Sequence, residues 1–117
     1  MLKKYLITSC LLILFSINSQ AAGTNDSSSS KVKSNYDKAV SLIKSAKKYE
    51  KKNKIEKANK RYEKALKLLI KSNKKIPDKA DTLNYLGFTT RKLGDYAGGE
   101  KYYLQGLAIE PNHKGIN

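Results

Sequence analysis

The sequence predicts an all-α protein: antiparallel helix-turn-helix repeats, about two units, behind a leader and a polar spacer. Three observations carry this. From Asn35 onward apolar residues recur every three or four positions, the spacing that places them on one face of a helix. No segment alternates with the two-residue period of a strand. The chain also resembles itself at an offset of 41 residues. Leu42 then matches Leu83, Ala46 matches Gly87 and Asn53 matches Gly94. Ile55 matches Tyr96, Ala58 matches Gly99, Tyr62 matches Tyr103, Ala65 matches Gly106 and Leu66 matches Leu107.

Residues 1–22 read as a signal peptide. Lys3 and Lys4 give a positive start, Tyr5 to Ile17 an apolar stretch, and Ser19-Gln20-Ala21 small residues at −3 and −1 of a cleavage site. That apolar stretch falls short of the ~20 residues a membrane-spanning helix needs, so no transmembrane segment is expected after processing. Ile7-Thr8-Ser9-Cys10 puts small residues before a cysteine, as at a lipidation site. Most of the apolar core, Leu11 to Ile17, follows that cysteine, on the wrong side for this reading. The protein is therefore expected to be exported, to a periplasmic or extracellular place. Cys10 is its only cysteine, so the processed chain has no thiol for a disulfide, a metal or a nucleophile. Residues 23–34 are small and polar without periodicity, a flexible spacer.

Tyr36, Ala39, Val40, Ile43, Ala46 and Tyr49 define a first helix over about 35–51. Asn53 sits in the break that follows and tolerates a left-handed conformation. Ile55, Ala58, Tyr62, Ala65, Leu66 and Leu69 define a second helix over about 54–74. Pro77-Asp78 ends it, with Asp78 as the expected N-cap of the third helix and Asp81 in its first turn. Leu83, Leu86, Gly87 and Thr90 carry that helix to about Leu93. Gly94 stops it, Asp95 caps a fourth helix to about Ile109, and Pro111 follows. Glycine inside a helix costs about 1 kcal/mol relative to alanine. Gly87, Gly99 and Gly106 on inward positions therefore predict close backbone approach, the alternative being a domain with little stability to spare; the two are compatible.

These units resemble the tetratricopeptide-repeat (TPR) family, whose 34-residue unit is a helix–turn–helix. The second unit has Leu83, Leu86-Gly87, Gly94, Tyr96, Gly99, Tyr103, Leu107 and Pro111 at family spacing. It departs at Thr90, where an aromatic is usual, and at Gly99 and Gly106, where alanine is. The first unit has Leu42, Ala46, Tyr49, Asn53, Ile55, Ala58, Tyr62, Ala65 and Leu66, with Ser45 where leucine is usual. Its proline, Pro77, arrives seven residues late, the length of two extra turns in the second helix. A register at offset 34 would pair Pro77 with Pro111 but puts Lys52 and Asn53 where Leu-Gly belongs.

The resemblance covers residues 35–111 and implies a non-catalytic scaffold whose first helices line a groove for a peptide or helix of a partner protein. The groove positions it implies are Val40, Ile43, Lys47 and Glu50 in the first unit, and Asp81, Asn84, Phe88, Arg91 and Lys92 in the second. The lysine and asparagine arrangement that some members use to clamp a C-terminal carboxylate is not reproduced. Residues 112–117 resemble the start of an incomplete further repeat. Tyr102, Tyr103, Leu104, Leu107 and Ile109 make the fourth helix apolar for a solvated last helix, so either self-association through it or a low melting temperature is expected.

No chemistry-bearing constellation appears. His113 is the only histidine and reads as a linker residue between repeats, without neighbours in sequence to orient it as a base. The serines at 27–30 lie in the spacer, and Gly98-Gly99 lies inside a helix rather than after a strand, where a phosphate loop would need it. No enzyme, metal or cofactor is expected. Charge is the remaining signal. The formal charge is +14, and residues 31–79 carry 18 Lys/Arg against 5 Asp/Glu, while 80–117 carry 4 of each. A solvated helix face accounts for most of these lysines. The alternative is a basic surface, over 31–79, for anionic polymers or membranes. With 22 lysines among 24 basic residues, arginine's bidentate contacts are scarce, which argues against nucleic acid.

Overall fold

The computed structural model describes residues 32–117. The expected signal peptide over 1–22 and most of the expected spacer over 23–34 lie outside the described residues. Within them are four helices and no strand: α1 (Asn35–Lys51), α2 (Ile55–Lys75), α3 (Ala80–Lys92) and α4 (Tyr96–Ile109). The all-α expectation holds. None of these helices is long and apolar enough to cross a membrane.

Local chemistry sets each boundary. Ser34, placed in the spacer by its sequence, caps α1: its Oγ accepts from Asp37 N–H at 3.1 Å, and Asp37 accepts from Ser34 N–H at 3.2 Å. This reciprocal box satisfies amides that a helix N-terminus leaves unpaired. After α1 the chain turns through Asn53 at φ 57°, the left-handed conformation anticipated there. Gly94 at φ 95° turns the chain between α3 and α4 in the same way. Asp95 caps α4 by accepting from Gly98 N–H at 2.9 Å. The start of α3 differs from expectation. Asp78 stands at φ 61° and Lys79 is the N-cap, with no side-chain cap bond. Asp78 turns left-handed directly after Pro77, so it lies one residue too early to reach the amides of the first turn.

Packing follows chain order. The tight turns at Lys52–Lys54 and Leu93–Asp95 fold the helices into two hairpins, α1–α2 and α3–α4, and α2 then packs against α3. The core comprises Ala39, Ile43, Ala46, Ala58, Tyr62, Ala65, Leu69, Leu83 and Leu86, with Leu42, Tyr49 and Leu66 half-buried around it. Small residues lie at both hairpin crossings: Ala46, Ala58 and Ala65 in the first, Gly87, Gly99 and Gly106 in the second, all buried. The glycines are not equivalent. A Cβ on Gly99 would stand 2.8 Å from the Gly87 carbonyl oxygen, and one on Gly87 would stand 3.0 Å from that of Gly99. There the α3 and α4 backbones touch. A Cβ on Gly106 would meet only the tip of Ile116 closely.

Tyr62 and Tyr103 match in the repeat but differ in burial: Tyr62 is fully enclosed, Tyr103 half-buried. α3 covers Tyr62 through Phe88, whose ring meets it edge-on at 6.0 Å, whereas α4 is the last helix. On α4, Tyr96, Leu104 and Ile109 are exposed and Leu107 is half-buried.

Residues 110–117 form turns folded back onto α3 and α4. His113 is 92% enclosed, and its Nε2 lies 2.6 Å from Asp81 Oδ1. Gly115 N–H donates to Nδ1 at 3.1 Å. That donation makes Nδ1 an acceptor, so Nε2 carries the hydrogen given to Asp81. The linker reading of His113 is corrected: it clasps this segment to α3. Its partner is 32 residues away, which is why nothing adjacent in sequence pointed to it.

Candidate functional site

α1 and α3 lie side by side and together form one face. Three contacts join them. At one end the Tyr36 and Tyr85 rings meet edge-on, centroids 5.8 Å apart. At the other, Lys92 Nζ lies 3.1 Å from both carboxylate oxygens of Glu50. Between them, Lys47 Nζ sits 4.6 Å above the centre of the Phe88 ring, and Lys92 Nζ lies 5.6 Å from it. Phe88 thus has two ammonium groups close to its ring, which also meets the buried Tyr62 ring edge-on. Helical spacing produces this: Asp81, Tyr85, Phe88 and Lys92 step by four, three and four along α3, and Tyr36, Val40, Lys47 and Glu50 share a face of α1.

Of the nine groove positions that the TPR resemblance implies, Lys47, Glu50, Phe88 and Lys92 come together here. Val40 and Asn84 are half-buried on the same two helices. Asp81 is engaged by His113, and a Cβ on Gly115 would stand 2.5 Å from Asn84 Nδ2, so the C-terminal turns border that end of the face while Asp81 stays largely exposed. Arg91 points toward α4: its guanidinium lies 5.9 Å from both the Tyr96 and Tyr103 ring centres. With Phe88 and Lys92 these residues line a shallow recess beside the face. Ile43 is a correction. At 1% exposure it belongs to the core, because it faces the α2 interface one turn from Ala39 and Ala46, and no partner can reach it.

Electrostatics follow from the same geometry. Burial, then the negative charge of Asp81, pushes the Tyr36 phenol up to about 12 from an ordinary 10. Burial, reinforced by the Glu50 carboxylate, pushes the Tyr62 phenol up as well. Outside the face, Arg61 Nη2 donates to the Tyr49 hydroxyl at 3.4 Å and lowers its pKa, its positive charge adding to the effect. Sequence reasoning missed Tyr85 as part of the face. The signal was its position four residues after Asp81 and three before Phe88.

The arrangement offers cations beside a half-open aromatic ring, suited to a peptide with an apolar anchor and an acidic or carbonyl-rich flank. Both nitrogens of His113 are engaged within the fold, Nε2 with Asp81 and Nδ1 with the Gly115 amide. Among the described residues no group of three His, Cys, Asp or Glu could hold a metal ion. No protein-family model, curated protein or solved structure matches the chain.

Proposed function

We propose that this chain is a non-catalytic interaction module of the TPR type, part of an exported protein, that takes a peptide or helix of a partner along the α1–α3 face. One observation carries the reading: Phe88 stands half-open beside Lys47 and Lys92 on two adjoining helices. An aromatic anchor at the centre of a polar surface is where binding energy concentrates. The two hairpins, each with small residues at its crossing, support the repeat assignment.

The test is selection of displayed peptides on the full chain, followed by affinity measurement against variants. Binders from the face should lose at least about tenfold with Phe88→Ala, the range of a central aromatic truncation. They should be indifferent to Lys71→Gln on the far side of α2, and should persist in moderate salt. Binders indifferent to Phe88→Ala would overturn the reading.

A further inference from the structure

The outer surface of α2 carries a second feature that the α1–α3 face does not use. α2 buries Ala58, Tyr62, Ala65 and Leu69. On its opposite side Lys57, Lys60, Lys64, Lys67, Lys71 and Lys74 advance by three, four, three, four and three residues, and every one is exposed. At 100° per residue these steps keep all six within one arc of about 100°, in a straight row about 25 Å long. Among the described residues only Lys60 of this row has an ion-pair partner, Glu56 at 3.2 Å, while Lys57 lies 5.9 Å from the Tyr49 ring centre. Lys64, Lys67, Lys71 and Lys74 present their charge to solvent. One large aliphatic residue stands beside the C-terminal half of the row, Ile70 at 47% exposure.

We propose that this row docks the protein on an anionic lipid bilayer surface. The row is straight and stands on a convex helix, so it meets a plane along its whole length, and long lysine stems let the ammonium groups adapt to scattered headgroups. A nucleic-acid strand is the weaker fit. The arginine of this helix, Arg61, has its guanidinium turned onto Tyr49, 5.0 Å from the ring centre and bonded to the hydroxyl, and the recess beside it reaches only Lys57, Lys60 and Lys64 of the row. Half-exposed Ile70 also adds nothing against a phosphate backbone, whereas it gains burial at a lipid interface. The apolar side of α2 stays in the core, so the association is peripheral and electrostatic, with the salt sensitivity that implies.

The test is co-sedimentation of the full chain with vesicles of phosphatidylcholine containing about 30 mol % phosphatidylglycerol, beside vesicles of phosphatidylcholine alone. Residues 1–22, with Lys3 and Lys4, are common to the wild type and the variants, so their contribution cancels when these are compared on the same vesicles. The wild-type chain should partition onto the anionic vesicles and be released as salt rises from about 0.1 to 0.5 M. The variant K64Q/K67Q/K71Q/K74Q should lose about fivefold per lysine neutralised, with an unchanged circular dichroism spectrum. Phe88→Ala should bind vesicles as the wild type does, which separates this outcome from that of the peptide-binding reading. Equal partition of the wild type and the quadruple variant onto anionic vesicles overturns the proposal. So does an oligonucleotide that displaces the protein from those vesicles and binds it more tightly at the same salt, which would make nucleic acid the occupant.

Discussion

Replacing Gly99 by alanine tests the contact on which the α3–α4 hairpin rests. In an open helix the change would stabilise by about 1 kcal/mol through helix propensity. Here the new methyl group meets the Gly87 carbonyl oxygen at 2.8 Å, and also the Arg91 Cγ. Backbone cannot rotate aside as a side-chain tip does, so the helices must separate. Overpacking of this kind costs about 1–3 kcal/mol and more where backbone must move. The upper part of that range outweighs the propensity gain and leaves a net loss of about 1–2 kcal/mol. For a domain of this size that lowers Tm by roughly 4–16 °C. Gly106→Ala is the matched comparison. Its nearest obstacle is the Ile116 Cδ1 at 2.5 Å, a flexible tip, and the next, Leu83 Cβ at 3.5 Å, is an ordinary contact. There propensity should win, and Tm should hold or rise by a few degrees. Melts of the full chain followed by far-ultraviolet circular dichroism at one concentration read both. If Gly99→Ala melts at or above the wild type, the two backbones do not touch and the argument fails.

Tyr62 is fully enclosed, and its hydroxyl, although the Glu50 carboxylate acts on it, makes no hydrogen bond of proper geometry. Tyr62→Phe should therefore hold or raise stability, since an unpaired buried hydroxyl costs about 1–3 kcal/mol, while Tyr62→Ala should lose about 3–5 kcal/mol; chemical denaturation distinguishes them. Folding holds the Tyr36 phenol at about 12 against an ordinary 10, so the unfolded chain ionises first. The contribution is intact below pH 10 and is lost as pH rises toward 12; a circular dichroism titration should show this alkaline loss reduced in Tyr36→Phe. His113→Ala should release residues 110–117, seen as faster hydrogen exchange at the Gly115 amide while the α1–α2 amides keep their protection. Asp81→Asn retains an acceptor oxygen and should have the smaller effect.

The helix boundaries were legible because their causes are local. Asn53, Pro77 and Gly94 interrupt apolar periods of helical spacing, and each interruption lies within a few residues of the end it explains. What failed was decided by backbone conformation or by residues elsewhere in the chain. Asp78 has the chemistry of a cap, yet the turn after Pro77 puts it in a left-handed conformation one residue too early. His113 looked idle because Asp81 reaches it only when the chain folds back. Gly87, Gly99 and Gly106 read alike in sequence, and only the crossing of α3 and α4 separates backbone contact from a displaceable side chain. At the candidate face, spacing brought Lys47, Glu50, Phe88 and Lys92 to one side. The same rule misplaced Ile43, which lies at the edge of that side where α2 closes over it.

The order of packing, α1 on α2, α2 on α3, α3 on α4, has a kinetic consequence. Every principal interface joins helices that are neighbours along the chain, so forming it closes only a short loop. Chains of such low contact order fold in microseconds to milliseconds. Each hairpin can nucleate by itself, and the second then docks on the first through the seam between α2 and α3. A lesion confined to that seam should leave the early phase of refolding untouched and slow or abolish the late one.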